Sequence, residues 1–164
     1  MGERFKGRVA IVTGGSRGIG RAIAELFAEE GAKVAIIDLN EEALSQTAAE
    51  LKAKGFDIYT RVANVTDASQ VEDFTKKTVD TFGSIDILVN NAGVIRDNLL
   101  FKMTDSDWNT VMDVHLKGSF HCARAVQKYM VEKRYGRIIN ISSTSALGNR
   151  GQANYAAAKA GLQG

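Results

Sequence analysis

Val9-Ala-Ile-Val-Thr13-Gly14-Gly15-Ser16-Arg17-Gly18-Ile19-Gly20-Arg21-Ala22-Ile23-Ala24 is the stretch that decides the fold. A short apolar run enters a cluster of glycines and leaves with helical periodicity, which reads as a buried strand turning sharply into a helix. Glycines at 14, 15, 18 and 20 let the backbone approach a ligand with no Cβ atom in the way. The first N–H groups of the helix then face an anion with the helix dipole behind them. A dinucleotide pyrophosphate fits such a turn. The nucleoside triphosphate loop does not, because Arg21 and Ala22 stand where it needs a lysine and a hydroxyl residue. The GxGxxG fingerprint also fails, since its third glycine would fall at Ile23, and the spacing present is Thr13-Gly14-x-x-x-Gly18-x-Gly20.

Working outward, a second apolar run, Lys33 to Ile37, ends in the carboxylate of Asp38. An acid at that distance accepts hydrogen bonds from an adenosine ribose and repels the 2′-phosphate of NADP, so NAD(H) is the preferred cofactor. Arg17 argues the other way, because a guanidinium in the glycine loop pairs with such a phosphate, and NADP(H) stays possible. Asn40, directly before Glu41 and Glu42, is the better candidate to cap the next helix.

Further along, apolar periodicity alternates between strand and helix. Strands are expected at 8–12, 33–38, 57–63, 85–90 and 136–142. Helices are expected at 18–30, 41–54, 67–81, 104–132 with a break or bend, and from 154 onward. The pattern predicts an α/β fold of Rossmann type, a doubly wound parallel sheet with helices on both faces, in one domain over 1–164. Ligands of such sheets sit at the carboxyl ends of the strands. Gly14, Asp38, Asn64, Asn90 and Ser143 all fall there.

The 164 residues are 45% hydrophobic and 24% charged, and a net charge of +2 is scattered along the chain. That excludes a basic stripe for nucleic acid or a polybasic membrane patch. A single cysteine, Cys122, and two histidines without metal-site spacing point to no metal. No apolar run approaches the roughly 20 residues of a membrane span, so a cytoplasmic location is expected.

Tyr155 and Lys159 lie four apart, on one face of the last helix. Ketone reduction needs a proton donor for the developing alkoxide, and a phenol with a pKa near 10 needs a neighbouring ammonium to take part at neutral pH. The cluster Ser142-Ser143-Thr144-Ser145 offers a hydroxyl for the substrate oxygen.

Together, Thr13-Gly14-x3-Gly18-x-Gly20, Asn90-Asn91-Ala92-Gly93, Asn140-Ile-Ser-Ser143 and Tyr155-x3-Lys159 resemble the short-chain dehydrogenase/reductase family along the whole chain. Val94 to Leu100 and Gly148 to Tyr155 are similar to its 3-oxoacyl-[acyl-carrier-protein] reductases and to its acetoacetyl-CoA and 3-hydroxyacyl-CoA dehydrogenases. The resemblance implies Tyr155 as acid/base, Lys159 on the nicotinamide ribose, and a strand-end serine orienting the carbonyl. It also implies Gly14, Ser16, Arg17, Gly18, Ile19 and Gly20 around the phosphates, Asn64 and Val65 at the adenine, and Asn90, Ala92 and Gly93 at the ribose and nicotinamide. Strand register selects Ser143 as the serine, while the family's commonest serine-to-tyrosine spacing selects Ser142; Ser143 is preferred because the strand fixes side-chain direction. His115 stands where the family usually has an asparagine in its proton relay.

The implied activity is hydride transfer between the nicotinamide cofactor and a 3-oxoacyl or 3-hydroxyacyl thioester carried by acyl carrier protein or CoA, in a homo-oligomer. The alternatives are another NAD-dependent secondary-alcohol or 3-hydroxyacyl-CoA dehydrogenase, or a catalytically silent nucleotide-binding module. The family pattern continues past residue 164, and the chain has no proline. Both features lead to the expectation of a C-terminally incomplete chain that associates and catalyses poorly.

Overall fold

A computed structural model describes residues 2–164. Five parallel strands, β1 (Val9–Thr13), β2 (Lys33–Asp38), β3 (Ile58–Val62), β4 (Ile87–Asn90) and β5 (Arg137–Asn140), form one sheet in the order β3-β2-β1-β4-β5. The order reverses between β1 and β4, which opens a crevice at their carboxyl ends. Helices α1 (Gly18–Glu29) and α2 (Glu41–Ala53) cover one face. The other face is covered by α3 (Ala68–Phe82) and α5 (Gly118–Lys133). Before α5 comes α4 (Asp105–Met112), and α6 (Ala153–Gln163) closes the series.

Alternation along the strands feeds both layers. Ala10, Val12, Val34 and Ile36 pack with Ala24 and Ala28 of α1 and Leu44 and Leu51 of α2. Ile11, Ala35, Ile37 and Leu88 meet Val71 and Phe74 of α3 and Val126 of α5. Strands buried on both faces read as nearly continuous apolar runs, and β1, β2 and β4 do. At the sheet edge, Ile138 and Ile139 of β5 are each 42% exposed.

The expected elements are present with shifted ends. Strand 57–63 is Ile58–Val62, and strand 136–142 stops at Asn140. The expected strand 85–90 starts at Ile87. Just before it, among apolar neighbours, lies Asp86, whose side chain is fully buried. That carboxylate accepts from Val9 N–H at 2.9 Å, Ser84 Oγ at 3.2 Å, Arg8 at 3.2 Å and Lys133 at 2.7 Å, tying the entry of β1 to the end of α5. Burial alone raises a carboxyl pKa, but the Lys133 ammonium and the other donors outweigh it and hold Asp86 below the usual range. A depressed folded-state pKa stabilises the fold above the unfolded value of about 3.9, and that contribution disappears as pH falls through the folded pKa. Asp86→Asn is expected to cost about 3 kcal/mol at pH 7. Urea unfolding at pH 7 and pH 3 checks this: the gap between wild type and variant narrows at pH 3.

The bend expected within 104–132 is a π-helical segment, Asp113–Lys117, between α4 and α5. Such segments are short insertions that recur at functional sites, and this one carries His115. Among the described residues, no helix is long and apolar enough to cross a membrane.

Candidate active site

The glycine turn closes against the start of the β4 loop. Thr13 Oγ1 accepts from the N–H groups of Asn91 and Ala92 at 3.0 and 2.9 Å. Asn91 Nδ2 donates back to the carbonyls of Thr13 and Gly14, both at 3.0 Å. Glycine is required where these segments touch. A Cβ on Gly20 would lie 2.2 Å from the Gly14 oxygen, and one on Gly14, which has φ +63°, would lie 2.8 Å from Ala92 Cα.

Beside this knot opens a cleft of about 360 Å³ at the carboxyl edge of the sheet. It is lined by Gly14, Arg17, Ile19 and Gly20 of the glycine turn, Asp38 and Asn40 at the end of β2, Asn64 and Val65 after β3, and Ala92, Gly93 and Val94 after β4. Arg17 caps α1 without a side-chain bond, and the first turn of α1 holds no acid. The helix therefore offers its N–H groups and positive end to an anion in the cleft. Asp38 stands at the rim, its Oδ1 accepting from Asn40 N–H at 3.1 Å. As expected, Asn40 caps α2, accepting from Ala43 N–H at 2.8 Å. Phosphate donors, a rim carboxylate and a glycine wall shaped by close backbone approach fit a nicotinamide dinucleotide.

Two residues expected on the cofactor lie beneath the surface instead. Asn90 is 4% exposed and donates to Asn140 Oδ1 at 2.9 Å, joining β4 to β5, with its own Oδ1 unpartnered. Ser16 is 2% exposed and held from behind by α2 and Asp38. Period-two alternation sends one residue of each strand end inward while its neighbour faces out, and neighbouring Asn91 lines the cleft in place of Asn90.

Ser143, Tyr155 and Lys159 are not among the residues lining this cleft; His115 links it to Tyr155 by bonding Val94 and packing against the Tyr155 ring. Its Nε2 stands 2.8 Å from the Val94 carbonyl and 3.0 Å from the Val94 N–H, donating to the first or accepting from the second according to tautomer. The ring meets Tyr155 edge to face, with centroids 5.1 Å apart, and its Nδ1 is buried without a partner. Burial lowers the imidazole pKa, the Val94 bond opposes this, and the Lys159 charge adds to the lowering, so His115 is neutral at pH 7. A Cβ on Gly93 would strike the ring at 2.4 Å.

Lys159 is 4% exposed, donates to the Ile141 carbonyl, and carries its ammonium 5.5 Å from the centre of the Tyr155 ring. Burial lowers its pKa. The two serines differ in their commitments. Ser142 Oγ donates to the Lys159 carbonyl at 3.1 Å and accepts from Gln163 at 3.2 Å. Ser143 Oγ accepts from Ser145 N–H at 3.1 Å, which leaves its proton to donate.

Sequence reasoning passed over Asn154. Fully buried, it donates to the carbonyls of Arg96 and Asp107 at 2.9 and 3.1 Å and accepts from Tyr155 N–H at 2.8 Å, seating the start of α6 on the β4 loop and α4. A helix-initial asparagine beside Tyr155 was the available signal.

A family model described as short chain dehydrogenase matches residues 8–164. The 3-oxoacyl-[acyl-carrier-protein] reductase FabG of Staphylococcus aureus (strain Mu50) is 50% identical over 157 residues, covering 94% of this chain and 64% of that protein. FabG of Escherichia coli K12 is 48% identical, covering 98% and 65%. The (2S)-[(R)-hydroxy(phenyl)methyl]succinyl-CoA dehydrogenase subunit BbsD of Thauera aromatica is 44% identical, covering 98% and 64%. The chain thus spans somewhat under two thirds of these relatives. A crystal structure of a candidate short-chain alcohol dehydrogenase from Sinorhizobium meliloti 1021 superposes with a TM-score of 0.91 at 36% identity, covering 96% of this chain and 63% of that one.

Proposed function

The chain belongs to the short-chain dehydrogenase family, and from that premise and the geometry of the rim we propose an oxidoreductase that interconverts 3-oxoacyl and 3-hydroxyacyl thioesters. The observation that carries the reading is the buried Lys159 ammonium held 5.5 Å from the Tyr155 ring, which His115 links to Val94 of the glycine cleft. A lysine is buried at the cost of desolvating its charge, and here the buried ammonium faces a phenol able to donate a proton.

A nicotinamide dinucleotide, when bound, supplies or accepts the hydride. Gly14, Arg17, Ile19 and Gly20 would hold its phosphates, Asp38 its adenosine ribose, and Asn64 with Val65 the adenine. Ala92 and Gly93 would border the nicotinamide side, and Lys159 the ribose there. Tyr155 gives its phenolic proton to the substrate oxygen in reduction and takes it back in oxidation. The free O–H of Ser143 bonds the same oxygen and polarises the carbonyl. Neutral His115 holds the Val94 backbone and the edge of the Tyr155 ring together.

The substrate class is supported by relatives named for 3-oxoacyl-[acyl-carrier-protein] reduction, and a relative named for a CoA thioester keeps CoA as a second carrier. Exposed Phe120 and Val131 on α5 support a homo-oligomer. The test mixes the chain with NADH or NADPH and acetoacetyl-CoA and follows cofactor absorbance and fluorescence. Oxidation of the cofactor supports the enzyme; binding without turnover supports a nucleotide-binding module.

NADH is expected to bind about tenfold more tightly than NADPH, the scale of one charged hydrogen bond gained or lost. Asp38 is the reason, since a ribose hydroxyl donates to it and a 2′-phosphate is repelled. Equal dissociation constants by fluorescence titration would remove Asp38 from that role.

A further inference from the structure

Thr47 sits in the middle of α2, 1% exposed, where a β-branched residue is no asset to a helix. Three other helical threonines use their hydroxyls in the ordinary local way: Thr75, Thr78 and Thr81 each donate to the carbonyl four residues back. Thr47 instead sends its hydroxyl out of the helix to the carbonyl of Ser16, at 2.7 Å. Ser16 is also fixed from its other side, its N–H and Oγ donating to Asp38 Oδ2 at 3.1 and 2.7 Å.

A trans peptide points its C=O and its N–H in opposite directions. Pulling the Ser16 carbonyl toward α2 therefore turns the Arg17 N–H away from α2, and Arg17 lines the cleft. We propose that Thr47 is a positioning residue of the nucleotide loop: its hydroxyl fixes the Ser16–Arg17 peptide so that the loop presents an N–H to a phosphate. Asp38 grips the same residue through its N–H and Oγ, atoms that Thr47 does not touch, so loss of the Thr47 hydroxyl frees the Ser16 carbonyl and leaves the Asp38 contacts in place. This inference rests on the reading of the cleft as a dinucleotide site.

The test compares ADP, NADH and adenosine binding to the wild-type chain, Thr47→Val and Thr47→Ser by titration calorimetry or NMR shift, with thermal unfolding recorded for each. Thr47→Val keeps the shape and removes the hydroxyl. It is expected to weaken ADP and NADH about tenfold, the scale of one hydrogen bond to a charged group, and to leave adenosine unchanged. Thr47→Ser restores wild-type ADP affinity. A packing role would weaken adenosine and ADP together, and that result, or unchanged ADP binding in Thr47→Val, overturns the proposal. Should Thr47→Val not fold, Thr47→Ala against Thr47→Ser isolates the same hydroxyl, read as the ADP-to-adenosine ratio. A wild type that binds neither NADH nor NADPH overturns the dinucleotide reading as well; a wild type that binds and a variant that matches it overturn the role of Thr47 alone.

Discussion

Gly20→Ala is expected to lower the unfolding temperature by roughly 10 °C, about 3 kcal/mol in a domain of this size, and to abolish measurable NADH binding. A methyl group at position 20 would stand 2.2 Å from the Gly14 oxygen and 2.4 Å from Asn91 Nδ2. The first contact is backbone, and the second is a side chain already bonded to two carbonyls. Neither yields cheaply, so the turn and the β4 loop must separate, and the cleft wall moves with them. Gly18→Ala is the control. It has φ +55° but nothing within 4 Å of an added Cβ, so it meets only left-handed strain of about 1 kcal/mol. Calorimetry and fluorescence titration of the two variants check the contrast, and equal behaviour would mean that the glycines act through flexibility instead of close approach.

That contrast also marks what was legible in the sequence. The glycine cluster, the acid at position 38 and the alternation of strand and helix are local signals, and each falls where expected. Periodicity names a strand but not its neighbours, so the exposure of β5 could not be read from Arg137 to Asn140. Asp86 hid within an apolar run because its partners, Arg8 and Lys133, are far away in sequence. The inward turn of Asn90 and the outward turn of Asn91 depend on a one-residue phase that the motif leaves undefined. Thr47 carries no motif at all, and only the crossing of α2 behind the loop reveals its partner. Residues defined by a long-range hydrogen bond are silent in a linear pattern, while those defined by backbone conformation speak plainly.

Tyr155→Phe is expected to reduce acetoacetyl-CoA turnover by about a thousandfold while leaving unfolding temperature and NADH affinity near wild type. The ring that meets His115 edge-on and lies near the Lys159 ammonium is retained, so packing changes little. Only the transferable phenolic proton is lost. Ser143→Ala is expected to cost about a hundredfold through loss of the carbonyl hydrogen bond. Ser142→Ala should act differently, because that hydroxyl holds the Lys159 carbonyl and Gln163. Its loss loosens α6 and shows first in stability. Steady-state rates and thermal unfolding, measured side by side, separate these outcomes. Turnover in Tyr155→Phe within tenfold of wild type would mean that the proton comes from another group, and a larger rate loss in Ser142→Ala than in Ser143→Ala would move the carbonyl contact to Ser142.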